Sequence, residues 1–145
     1  MQALSVSYVT PHYEKTVSCY LGIDVGTQGL TALLVESKSE SGSGSSSSSS
    51  SLNVLAIGEG SYDFIPGLED GCYEQEPTDW EIALVEALKK IQQATTTNNV
   101  NVNIEAICVT GQMHGCVMID KNGNSIGTAR LWCDSRNQEE VRNVM

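Results

Sequence analysis

Cations, long apolar runs and paired metal ligands are all scarce in this chain. Only 8 Lys+Arg stand against 18 Asp+Glu, for a formal net charge of -10. Such a balance argues against binding nucleic acid or an anionic membrane, both of which require clustered cations. It leaves room for an anionic ligand held by backbone N–H groups and a bound cation. No apolar run approaches the ~20 residues that cross a bilayer. Residues 1–18 have neither a basic start nor an apolar centre, so no signal peptide is expected. His12 and His114 lie far apart, and Cys19, Cys72, Cys108, Cys116 and Cys133 include no C-x-x-C pair, which excludes the usual zinc spacings. The odd cysteine count, with three in apolar runs, predicts buried reduced thiols and a reducing compartment, the cytosol.

What remains is a 145-residue chain of 40% hydrophobic residues and 6% aromatics, enough for one domain with its own core. Residues 1–18 read as a loose leader and residues 19–145 as the domain. "YLGIDVGTQGLTALLVE" (20–36) reads as two strands joined by a turn at Gly26, Thr27, Gln28 and Gly29. "SKSESGSGSSSSSSS" (37–51) is a flexible insertion that lengthens a surface turn between strands, with a phosphorylated loop as the alternative. "LNVLAIG" (52–58) reads as a third strand and 60–76 as a loop. Thr78 with Glu81 predicts a capping box, and Trp80, Leu84, Val85, Leu88 and Ile91 share a helical face up to about Ala94. Strands are predicted at 104–110 and 117–120, the latter followed by the turn "KNGN", and a helix in "SRNQEEVRNVM". The fold class is α/β with a mixed sheet.

Three short motifs carry chemistry. In "DVGT", Asp24 is a carboxylate at the end of an apolar run, where charge needs a partner. That partner is solvent, a backbone amide or a metal-phosphate group. Gly26 allows close approach to a phosphate, and Thr27 adds a hydroxyl. In "GQMHG", Gln112 and His114 offer donors and acceptors for hydroxyls, and Met113 an apolar wall; His114 as a plain turn residue is the competing reading. In "LWCDSRN", Trp132 either stacks on a sugar ring or fills core. Asp134 and Arg136 either bond a polyol or form a helix N-terminal cap and a surface ion pair.

Taken in order, the D-x-G-T hairpin, the helix entry "EQEPTDW", G-Q-M-H-G and W-x-D-x-R resemble the amino-terminal domain of the FGGY carbohydrate kinases. The resemblance runs from about Cys19 to the end, interrupted by the serine segment, and the G-Q-M-H-G turn is similar to that of the xylulokinase group. It implies a ribonuclease H-like (actin-like ATPase) fold and ATP-dependent phosphorylation of a ketose, D-xylulose first, with sedoheptulose, ribulose or glycerol as alternatives. A non-catalytic sugar-binding module remains a rival. The resemblance implies that Asp24 lies near Mg²⁺ as a catalytic residue and that Gly26, Thr27 and Gln28 bind phosphate. Met113 and His114 then contact the sugar, with Gln112 and Asp134 bordering the same pocket. Thr31 stands where many relatives carry Lys or Arg, which weakens one phosphate contact. Such kinases have a second domain that supplies the proton-accepting aspartate and most of the adenosine pocket. The chain is therefore expected to be an amino-terminal piece, inactive without that carboxy-terminal partner.

Overall fold

Alternating apolar residues become strands, and one face of the resulting sheet takes a helix. A computed structural model describes residues 15–39 and 50–144. In chain order the elements are β1 (Lys15–Val25), β2 (Gly29–Ser39), β3 (Ser50–Ser61), β4 (Glu74–Gln75), α1 (Pro77–Thr97), β5 (Val100–Gly111), β6 (Ala129–Arg130) and α2 (Gln138–Val144). The main sheet has the order β3-β2-β1-β5, antiparallel except for the parallel β1–β5 pair, and β4 pairs with β6 separately. This is the mixed α/β arrangement that the motifs imply.

The strand that begins the domain starts earlier than its apolar pattern suggested. Lys15 to Ser18, inside the segment read as leader, pair with Val100 to Asn103, and Val17 is buried against the core. Residues 1–14 lie outside the described residues. The ends of the serine segment also join the sheet, Ser37 pairing with Leu52 and Ser39 with Ser50, while residues 40–49 lie outside the described residues. The predicted strand at 117–120 is reduced to the bridge Ile119↔Ser125 around the "KNGN" turn, with Asp120 N–H donating to Asn124 and Ile126 N–H to Met118.

Val17, Cys19, Leu21 and Ile23 of β1 and Leu30, Ala32 and Leu34 of β2 project to the helix side, as a period of two requires. On α1 the buried stripe is Ala83, Ala87 and Ile91; of the face that the helical pattern favoured, Ile91 is buried, Trp80 and Leu84 pack half-buried against the core, and Val85 and Leu88 are exposed. The reason is the seat on β3. A Cβ added to Gly58 would lie 2.0 Å from the Ala87 carbonyl oxygen, and one on Gly60 would lie 2.3 Å from that of Ala83. Helix backbone rests directly on glycine, so only alanine fits between. Glu76, without a side-chain cap bond, is the N-cap and Pro77 opens the helix. That puts Thr78 inside the first turn, and the expected capping box does not form.

α1 covers β3 and β2 but leaves much of β5 bare, with Ile107 and Val109 exposed. An apolar groove of about 540 Å³ therefore runs beside Trp80, Leu84, Ile23, Val109 and Val117. The expectation of buried thiols is also corrected, Cys108 lying on the sheet face opposite Ile107 and Val109. All five cysteines are free, yet Cys19 alone among them is buried, while Cys108 and Cys116 are exposed. No helix among the described residues is long and apolar enough to cross a membrane.

Gly60→Ala is expected to destabilise the domain by about 1–3 kcal/mol, the usual cost of overpacking. Gly22→Ala, whose added Cβ has no neighbour nearer than 4.0 Å, serves as the control. Urea unfolding midpoints of the two variants check the difference.

Candidate functional site

Because β1 and β5 run parallel, the turns that follow them emerge side by side at the carboxyl edge of the sheet, where open α/β sheets hold ligands. Val25 pairs with Gly111, and the Gln112 N–H donates to the Val25 carbonyl at 2.9 Å. A Cβ on Gly111 would stand 3.0 Å from that carbonyl oxygen, so glycine permits the approach. Asp24 is exposed, paired with Thr31 on one side and Thr110 on the other. Its neighbour Ile23 is buried toward α1, so the Asp24 carboxylate belongs to the opposite face, flanked by two hydroxyl residues.

The D-x-G-T turn is held from several directions. Gly26 N–H donates to the Gly29 carbonyl at 2.9 Å. The hydroxyl of buried Tyr62 lies 2.6 Å from the Gly26 carbonyl and 3.0 Å from that of Gly29. Burial, and then the negative charge of Asp24, push the Tyr62 phenol above its ordinary range, which keeps it a donor. The Thr27 carbonyl accepts from Gln75 at 2.6 Å, and the Thr27 hydroxyl accepts from the Trp132 indole at 3.3 Å. Gln28 is exposed at the tip. Among the described residues, the backbone N–H groups of Thr27 and Gln28 have no partner.

The second turn presents Met113 and His114 to solvent, Met113 being 71% exposed. His114 has φ of 62°, a left-handed conformation that costs a non-glycine residue on the order of 1 kcal/mol. Gln112 turns inward instead. It is half-buried, and its amide N–H₂ donates to Gln75 at 3.2 Å. A small cavity of about 190 Å³ lies between Gln112, His114, Trp80, Val117 and Leu131.

Asp134 does not cap the following helix, because α2 begins only at Gln138. Its carboxylate accepts from Arg136 Nε at 3.0 Å and Nη2 at 2.6 Å, and from the Tyr73 N–H at 2.9 Å. Arg136 reaches on to Glu74, which also accepts from the Thr128 hydroxyl. Hydrogen bonding from Arg136 holds the Asp134 carboxyl well below the usual range, and bonds from Thr128 and Arg136 lower that of Glu74. This cluster clamps the loop carrying Trp132 onto residues 71–75, assisted by Ser135 N–H to Gly71 at 2.8 Å and Leu131 N–H to Tyr73 at 3.0 Å. Among the described residues no group of three or more His, Cys, Asp or Glu gathers as a metal cluster, so any cation held here rests on fewer side chains.

Sequence reasoning passed over two residues. Tyr62 carries no motif signal, being a tyrosine at the end of an alternating strand. Gln75 lies within "EQEPTDW", whose residues signal only a helix entry.

Both clamp carboxyls have folded-state values below their ordinary ones, so they add stability at higher pH that is lost as pH falls through their folded values. The thermal midpoint is expected to fall below about pH 4. Arg136→Met should flatten that decline, as melting curves across pH would record.

Residues 19–145 match the FGGY family of carbohydrate kinases, N-terminal domain. The chain is 33% identical over 123 residues to a xylulose kinase of Haemophilus influenzae, covering 83% of this chain and 22% of that protein. It is 36% identical over 124 residues to a xylulose kinase of Staphylococcus xylosus, covering 86% and 22%. Among solved structures, that of a xyloylose kinase from Brucella ovis superposes with a TM-score of 0.65 at 27% identity, over 87% of this chain and 23% of the other. The chain thus spans about a fifth of the length of these relatives. With the mixed sheet and the two adjoining turns, these matches show a ribonuclease H-like (actin-like ATPase) fold, and the chain belongs to the FGGY family of carbohydrate kinases.

Proposed function

We propose that this chain supplies the phosphate turn and sugar contacts of an ATP-dependent ketose kinase acting on D-xylulose. The observation that carries the reading is the adjacency of an acidic D-x-G-T turn and a G-Q-M-H-G turn on parallel strand ends, joined by the Gln112–Val25 bond. One turn suits an anion with its cation, the other a polyol, and they are neighbours. D-xylulose is favoured because the relatives at 33% and 36% identity are named xylulose kinases.

The residues fit the groups that this reaction needs. Asp24 is an exposed carboxylate at the sheet edge, suited to Mg²⁺ directly or through water, as hard cations take oxygen ligands. The unpartnered N–H groups of Thr27 and Gln28 beside Gly26 suit phosphate oxygens. Mg²⁺, when bound, would neutralise charge on the phosphates of ATP. Met113 and His114, exposed on the second turn, are assigned to the sugar. Gln112 is assigned to the border of the same pocket, and Asp134 to shaping it through the loop that it clamps.

In the proposed reaction a xylulose hydroxyl oxygen forms a bond to the terminal phosphorus of ATP while the bond to the ADP oxygen breaks. The hydroxyl proton passes to a base, proposed to come from a second domain of the natural full-length protein. Positioning and charge neutralisation account for most of such catalysis.

A coupled ADP-release assay on the full-length natural protein, run with xylulose, ribulose, sedoheptulose and glycerol, tests this. Turnover dependent on xylulose is expected; preference for another of these sugars would move the assignment within the family. No sugar-stimulated turnover by folded protein would favour a non-catalytic sugar-binding module. Asp24→Asn is expected to lower kcat by about 10²-fold or more, on the scale seen when charge stabilisation of the transition state is removed. His114→Ala should weaken sugar binding by about 10-fold or more while leaving nucleotide affinity intact, as one lost hydrogen bond to a buried ligand group would. Isothermal titration with each ligand separates the two effects, and unchanged sugar affinity would remove His114 from the pocket.

A further inference from the structure

One wholly buried side chain touches both turns. Gln75 is 0% exposed, at the end of β4 just before α1. Its amide nitrogen donates to the Thr27 carbonyl at 2.6 Å. Its oxygen accepts from the Trp80 indole at 3.0 Å and from Gln112 Nε2 at 3.2 Å. The phosphate turn, the start of α1 and the second turn thus meet at one amide.

The chemistry of the partners fixes its orientation. An indole N–H only donates, so Trp80 must face the Gln75 oxygen, and a carbonyl only accepts, so Thr27 must face the nitrogen. With the Gln75 oxygen already an acceptor, Gln112 must present its N–H₂ group. The Gln112 oxygen is left as a buried acceptor without a partner among the described residues. A buried, unpaired acceptor on a turn assigned to a polyol suits a hydroxyl donor.

We infer that Gln75 is a positioning residue that sets the phosphate turn in register with the sugar turn, by holding the Thr27 carbonyl and orienting Gln112. The inference rests on the kinase reading above. Small misplacement of reacting groups is costly, on the order of 10²-fold in rate for about 1 Å. A residue that holds both turns at once therefore acts on kcat more than on the affinity for either ligand.

Gln75→Glu separates the arms. It keeps the size of glutamine and an acceptor oxygen for Trp80 and Gln112, but a carboxylate oxygen replaces the N–H₂ group and cannot donate to Thr27. In the full-length natural protein, with ATP and D-xylulose, kcat is expected to fall about 10- to 100-fold while KM for xylulose changes less than about threefold. Gln112→Met, which removes the other arm and the free acceptor, is expected to raise KM for xylulose about tenfold with a smaller change in kcat. Trp80→Phe keeps the aromatic bulk but takes away the indole N–H that fixes the amide. It should lower kcat about threefold to tenfold at nearly constant KM, and it decides the matter if the glutamate variant does not fold.

An unchanged kcat in folded Gln75→Glu, or in Trp80→Phe where the first is unfolded, overturns the inference. So does a loss shared equally between kcat and KM for every substrate, which would mark a merely structural residue. Absence of sugar-dependent turnover in the unsubstituted protein is a different result: it overturns the kinase reading and this inference with it.

Discussion

The parallel pairing of β1 with β5 is the constraint on which the rest depends. It sets Asp24 beside Thr110 and Val25 beside Gly111, so two turns more than eighty residues apart in sequence leave the sheet at one edge. The register is not uniform. Cys19 pairs with Ile104 but Tyr20 with Ala106, which leaves Glu105 without an opposite residue. Its carboxylate accepts from Ser18 at 2.9 Å and Asn103 at 2.7 Å, so the bulge is held by side chains. The extra residue decides which face each later side chain of β5 occupies. Without it, Thr110 would sit opposite Val25 instead of Asp24, and Ala106 and Cys108 would take the side now occupied by Ile107 and Val109.

Around this edge the protein places neutral donors, two of them buried, rather than more charge. Tyr62 and Gln75 hold carbonyls of the D-x-G-T turn, and Trp132 holds the Thr27 hydroxyl. These bonds occupy carbonyl and hydroxyl oxygens of the turn and spare the Thr27 and Gln28 N–H groups, the ones that an anion would use. The acidic surface, net -10, is compatible with anion binding on the proposed reading, in which backbone amides would make the contact and Asp24 would hold the cation. Arg136 is spent on Asp134 and Glu74, so it shapes the Trp132 loop and contributes little positive field at the turn.

The helix side follows a different logic. Two glycines on β3 let α1 settle onto the sheet through alanines, which leaves larger residues such as Val85 and Leu88 toward the surface. α1 is one helix on a four-stranded sheet, and β5 keeps apolar side chains exposed. Close packing on β3 and bareness on β5 are two outcomes of the same placement.

Much was legible in the residues themselves. Alternation in 20–36 fixed the hairpin, since side chains of a half-buried strand must alternate, and Pro77 marked the helix entry because proline is tolerated at a first turn. The ordered motifs identified the family, as no one of them does alone. Other features depended on contacts between distant segments and left no local trace. Lys15 to Ser18 form strand because Val100 to Asn103 lie alongside them. Thr78 lost its capping role because the helix began at Pro77, and the local Asp134–Arg136 pair became a clamp only because Tyr73 and Glu74 come within reach in the fold. Only the Trp80 partner of Gln75 is near in sequence; Thr27 and Gln112 lie 48 and 37 residues away. Periodicity and turn chemistry act between near neighbours and are written in the chain; a buried amide acquires its meaning only from the partners that tertiary packing brings to it.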